Sequence, residues 1–440
     1  MKKRISLLLM IAALGLASSC LKDQQDYFDK SSAERLQEVQ ENLRALLAEN
    51  QYGWRMEYFI GNTEQDRGGR NLTLKFGKDL DTVCVRSEEF VDSAFTSHFK
   101  LTGDDGPVLS FDTYNAILHK YAVPSSSYYE ARGGDFEFLI IDFSSEKIVL
   151  KGKRSGKTSV LYPLNEEAET FTERIHQADK AFYVSSFNGM LGSTAVTGEI
   201  DVRNRQFTIT EKMDDEYADA ETKTLPYILT KDGLQFYKAE EFMGTTLETL
   251  VYTAADTTLT ANGVSLKGFI PQDWRPYEFF EGSYMFLHND GMFQIELIPQ
   301  DDQESYRANG FGTNFDIFMF YDIKTGRLNI EAQFVTEKGK DTVLQEGDNY
   351  VIMAPLGESG FFGLDGEGYS SAWNMREDRP VYVWENNGRN ARFMSSELML
   401  RLYNMTDGFV RDSQGYSMGP SVAKFNGNKG SITPKSMQKR

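Results

Sequence analysis

Few residues in this 440-residue chain are of types and spacings that do chemistry. The run GYSMG, residues 415–419, spells the G-x-S-x-G of a nucleophile elbow, where a serine on a strand-to-helix turn attacks an acyl carbon and a later histidine takes its proton. Pro420 follows at once and no histidine occurs after His288, so Ser417 lacks the partner that would activate it. The run GKRSGKT, residues 152–158, has one residue too few between its glycines for a phosphate-cradling loop, and its strand-like flanks predict a hairpin turn. The four histidines, His98, His119, His176 and His288, are far apart, and none forms the i, i+4 pair of a zinc-binding helix. GDDG at 103–106, NDG at 289–291 and LDGEG at 364–368 hold oxygen ligands without the alternating acidic spacing of a calcium loop, and are read as turns. No metal and no cofactor is assigned. With 65 acidic residues, paired carboxylates for glycoside hydrolysis stay open, because their separation exists only in three dimensions.

Two further groups are candidates for ligand contact. In SFDTYNAILHKYA, from Ser110, the residues Phe111, Tyr114, Ile117, Leu118 and Tyr121 fall on one face of a short helix that Asp112 could cap. RGGDFEF, from Arg132, is a glycine turn into a strand with Phe136, Phe138 and Ile140 on one face. In one reading Asp112, Asn115, His119, Asp135 and Glu137 converge on a small ligand or ion; in the other they cap a helix and pin a turn. Local caps and turns explain each position without a ligand. The second group is aromatic. Among 31 Phe, 22 Tyr and 4 Trp, the residues Trp373 and Trp384 sit in the polar stretch 371–390, where they could stack on a sugar ring or a peptide, or each pack under its own loop.

The elements around these residues start from the N-terminus. Lys2, Lys3 and Arg4 precede an apolar stretch from Ile5 to Leu16 that ends in Ala17, Ser18 and Ser19, the layout of a cleaved signal peptide over 1–19. The stretch is shorter than the ~20 apolar residues that span a bilayer. Small residues before Cys20 resemble a bacterial lipobox, which makes Cys20 the lipid attachment site and residues 20–30 a tether. Cys84 then has no partner, so the fold stands without an internal disulfide. Cleavage moves the formal net charge from -18 to -21, since it removes three cations and no acid. That charge repels phosphate, so nucleic acid is excluded as a partner and the membrane is reached through the lipid.

Ser31 and Glu34 have capping-box spacing, and Leu36, Val39, Leu43, Leu46 and Leu47 recur at helical intervals up to Asn50 and Gly53. From Trp54 the chain reads as strands rich in aromatic and β-branched residues, with a second helix in 169–187. Pro271 and Pro276 punctuate the chain before a new strand series at Gly282. The expected fold is mainly β, of the α+β class. An N-terminal helix packs on an antiparallel sheet in a domain over 31–271, an all-β barrel or sandwich covers 272–425, and 426–440 is a flexible tail.

The runs GPVLSFDTYNAILHKYAVP (106–124) and GGDFEFLIID from Gly133, with FDKSSAERL, the Gly53–Trp54 pair and LKGKRSGKTSVLYPL, resemble the lipoproteins of domain of unknown function 4302 in gut and oral Bacteroidota. The resemblance is strongest over 27–164 and fades towards 270. It implies an outer-envelope lipoprotein encoded near outer-membrane nutrient importers, and no catalytic residue. Asp23 and Asp26 are similar to the acidic export signals of surface lipoproteins, with Gln24 and Gln25 interrupting the run. The leading expectation is a non-enzymatic protein, lipid-anchored in the outer membrane at the cell surface or, as the alternative, on its periplasmic face, that binds a glycan or peptide beside an importer. A structural or adhesion lipoprotein comes second and a carboxylate-dependent hydrolase third. An aromatic-lined groove favours the first, a flat apolar patch the second and two facing buried carboxylates the third.

Overall fold

Ser31 starts the first helix, Ser32–Glu49, by a reciprocal exchange: its hydroxyl accepts the Glu34 amide at 3.3 Å while the Glu34 carboxylate accepts the Ser31 amide at 2.9 Å. Leu43 and Leu47 are buried in one cluster with Trp54, Leu72 and Leu74. The chain leaves the helix through Gly53, at φ +84°, where a Cβ would lie 2.6 Å from the Leu74 carbonyl oxygen. The structure, a computed structural model, describes residues 30–61, 66–78, 81–104, 106–124, 131–213, 219–364, 366–374, 381–388 and 393–440. The signal segment, Cys20 and the tether before Lys30 lie outside the described residues. No described helix is long and apolar enough to cross a membrane.

The protein is mainly β and its sheets are antiparallel. The first sheet has nine strands: one meander runs outward from Trp54–Phe59, a second returns to Thr158–Pro163, and the two join where Trp54 faces Pro163. The GKRSGKT run is the hairpin turn between Ile148–Gly152 and Thr158–Pro163, as its flanks predict.

Eight strands from Ser186–Leu191 to Val264–Phe269 then close a barrel, each beside its sequence neighbour and the first against the last. Phe187 stacks on Phe207 at 4.5 Å, and Phe236 meets Phe207 edge-on at 5.4 Å. An eight-stranded barrel is just wide enough for side chains to fill, and these rings belong to the buried cluster inside it.

A second ring of eight strands runs from Gly282–His288 to Pro434–Lys439, closed by pairing between Ser305–Asn309 and Phe315–Asp322. Two excursions from this ring form a separate six-stranded sheet, in which Asn349–Gly357 pairs with Ser395–Asn404. The expected flexible tail over 426–440 is corrected here. Pro434–Lys439 lies between Gly282–His288 and Val381–Asn386, with Met437 fully buried. Backbone pairing on both sides supplies the order that its polar sequence does not announce.

The three parts meet at a buried ionic cluster. Arg205, 4% exposed, gives Nη1 to Glu88 at 2.5 Å and to the Gly69 carbonyl at 2.7 Å, and Nη2 to Asp179 at 3.3 Å. Lys324 reaches the other Asp179 oxygen at 3.1 Å. Close by, Glu89 takes Arg70 at 2.7 Å and Lys120 at 2.9 Å. Burial alone would raise the Asp179 carboxyl, but Lys324 and Arg205 outweigh it and hold it below the ordinary carboxylate range. Stability from an acid whose pKa falls on folding is present above the unfolded value near 4 and is lost as pH drops through the folded value. Asp179→Asn will therefore be less stable than wild type at neutral pH, and the two denaturation midpoints will converge below about pH 4. A constant gap down to about pH 3 would contradict that assignment.

Candidate functional site

The five polar residues around 112–137 are each matched by local partners. Asn115, not Asp112, caps the short helix Ala116–Ala122, its Oδ1 accepting the amides of Ile117 at 3.1 Å and Leu118 at 3.4 Å. Its Nδ2 donates to the Phe95 carbonyl at 3.1 Å and to Ser97 Oγ at 3.2 Å. Asp112 pairs with Lys100, which holds its carboxyl below the ordinary range. His119 stacks on Phe136 at 4.9 Å, its Nδ1 accepts the Asn115 amide at 3.1 Å, and burial pushes its pKa down. Asp135 accepts the amides of Arg154 at 2.7 Å and Ser155 at 3.2 Å, and so pins the turn 152–158. Glu137 accepts Ser110 Oγ at 3.4 Å. Asn115 and His119 come together; Asp135 works at a different turn.

The two tryptophans are not loop residues. Trp373 and Trp384 lie on the barrel strands Gly368–Asn374, buried continuously from Gly368 to Ala372, and Val381–Asn386, where burial alternates from Val381 to Trp384. Trp384 is buried 5.9 Å from Phe286. Trp373 is half-buried, edge-on to Tyr382 at 5.2 Å, with the Arg275 guanidinium 4.3 Å from its ring.

The feature that sequence reasoning missed is a cleft of about 720 Å³ on the six-stranded sheet, with Phe361, Phe362, Phe393, Phe409 and Tyr416 in its lining. Phe362 and Phe409 lie 4.5 Å apart in its wall. Phe361 and Tyr416 stand 74% and 69% exposed at its rim, an arrangement that leaves apolar rings to be covered. Arg401 enters the same cleft and gives Nε to Ser417 Oγ at 2.9 Å and Nη1 to the Leu400 carbonyl at 2.9 Å. Burial lowers its pKa, yet an arginine stays cationic through the physiological range. Arg411 gives Nη1 to the Gly415 carbonyl at 2.6 Å, and its backbone bridges to Ser417. Glu367 is buried in the lining. The GYSMG run is thus a loop whose serine accepts a hydrogen bond from a guanidinium, between bridging backbone segments rather than between a strand and a helix. The adjacent Phe361 and Phe362, flanked by Gly360 and Gly363, were the available signal for the site.

The family model described as "Domain of unknown function (DUF4302)" matches residues 24–254. The chain belongs to the DUF4302 family. A second model, DUF4987, also described as a domain of unknown function, matches residues 257–399. The two matches abut between the barrel strands Thr245–Thr253 and Thr258–Ala261, inside the ring that closes at Phe269. Among solved structures, a protein of unknown function from the DUF3598 family of Nostoc punctiforme is similar over 60% of this DUF4302 chain and 98% of its own, at 13% identity and a TM-score of 0.13. No curated protein matches.

Proposed function

We propose that this DUF4302 protein is a lipid-anchored, surface-exposed and non-enzymatic envelope protein that captures a nutrient polymer, glycan or peptide, beside an outer-membrane importer. The single observation that carries the binding role is the aromatic cleft at 356–417. Its volume of about 720 Å³ is within the usual span of ligand sites, and its exposed rings offer stacking surface. Glu367 is the one carboxylate among its described lining residues, where paired-carboxylate hydrolysis needs two. The anchor rests on Cys20 and the small residues before it, and display outside the cell on Asp23 and Asp26. In this reading the first helix packs on the first sheet and receives the tether, and the chain divides into two domains near Pro271. The adhesion reading draws on Met394, Met418 and Val422, apolar side chains 49%, 41% and 41% exposed.

A glycan and peptide array probed with protein lacking residues 1–20 tests the capture role. Binding that Phe409→Ala weakens is the expected result; an array with no binder would count against capture. On cells, Cys20→Ala will move the protein to the soluble fraction, and external protease will degrade the wild type. Retention of the variant in the membrane would refute lipidation, and protection until lysis would refute surface display.

A further inference from the structure

The described lining of the cleft of the proposed function gathers two arginines and one carboxylate in a chain that is acidic as a whole. The whole chain has a formal net charge of -18, yet Arg401 and Arg411 enter this one cleft and give their hydrogen bonds to neutral acceptors. Against them the described lining sets one carboxylate, Glu367, while Glu397, outside the lining, also acts on Arg401. The guanidinium of Arg401 is held by Ser417 Oγ at 2.9 Å and lies 5.7 Å from the Phe362 ring. It is therefore oriented before any ligand arrives, which limits the ordering cost of binding.

Resting on the cleft as the ligand site, we infer that it recognises the free C-terminal carboxylate of a peptide whose last residue is apolar. A carboxylate matches the planar fork of a guanidinium, and an anion gains most where the surrounding surface excludes its competitors for that fork. The neighbouring wall is phenyl, with Phe362 and Phe409 4.5 Å apart, and phenyl rings offer no conventional hydrogen-bond donor or acceptor. A sugar in this position would desolvate hydroxyls along its whole rim without partners for most of them, whereas an apolar side chain buries only surface that gains from leaving water. Ser417 is a positioning residue here: it fixes the Arg401 fork.

Isothermal titration of the protein lacking residues 1–20 with N-acetylated tripeptides ending in Phe or Leu, as free acids and as amides, tests this. The free acid will bind at least about tenfold more tightly than the amide, the effect of one lost charge-assisted hydrogen bond. Arg401→Gln, with its thermal melt as a check on folding, will abolish the acid-amide difference while leaving residual binding of the amide. Ser417→Ala will reduce the difference, and Phe409→Ala will weaken both forms. Equal binding of acid and amide would overturn the carboxylate claim and leave the cleft as a peptide site. Preference for an acidic oligosaccharide such as oligogalacturonate would overturn the peptide assignment. Array binders unaffected by Phe409→Ala or Arg401→Gln would remove the cleft itself from the function, a different result from either.

Discussion

A chain ended at Thr433 will fail to close its second barrel. Pro434–Lys439 supplies backbone partners on both sides, with Phe286 facing Met437 across one interface and Val383 facing Ser436 across the other. Its loss opens the ring, leaves Gly282–His288 and Val381–Asn386 as bare edges, and exposes the aromatic interior behind them. Bare apolar edges pair with other chains, so the truncated protein will aggregate and lose the near-ultraviolet signal of its packed tyrosines and tryptophans. Met437→Ala isolates the packing part and will cost about 2–5 kcal/mol in denaturant titration, as other buried Met truncations do. A truncated chain that stays monomeric with the wild-type melting profile would show that the strand contributes nothing.

Arg205→Ala will cost about 3–5 kcal/mol of stability, the usual effect of stranding one partner of a buried ion pair. Glu88 is 2% exposed, and besides Arg205 it is held by Asn71, whose amide lies 3.1 Å away and whose Nδ2 lies 2.7 Å away. Burial pushes its carboxyl up and Arg205 opposes that push, so without Arg205 the carboxylate meets the desolvation cost with the two Asn71 donors and the weaker pull of Arg70. Glu88→Gln in the Arg205→Ala background will restore part of the loss, because it removes the stranded charge. Urea titration measures both, and an Arg205→Ala effect under about 1 kcal/mol would mean that water reaches Glu88 in the folded protein.

What could be read from the sequence was what depends on near neighbours. The capping box at Ser31 and Glu34 and the hairpin at 152–158 are set by residues within a few positions of one another, and both form as read. A barrel or sandwich is expected for the C-terminal half, but the first ring is not, and neither set of closing partners could be read, because pairs such as Ser186 with Phe269 and Tyr284 with Lys439 follow no local period. The cleft was hidden for a related reason. Its wall gathers Phe362 and Phe409 from separate excursions of the chain, and its loop was weighed for a nucleophile when its serine serves an arginine. Trp373 and Trp384 stand out by rarity and polar neighbours, but both lie on paired barrel strands, and burial alternates only along the one that carries Trp384.

The placement of Pro434–Lys439 also sets a timetable. A chain emerging N-terminus first can complete its nine-stranded sheet once Thr158–Pro163 is out, and its first barrel once Val264–Phe269 follows. The ring opened by Gly282–His288 has to wait for the final strand of this sequence. Long-range closure of this kind is slow even after the strand arrives. The second barrel is therefore the part of the molecule that a holdase would grip longest, and the cleft sheet threaded through it matures on the same late clock.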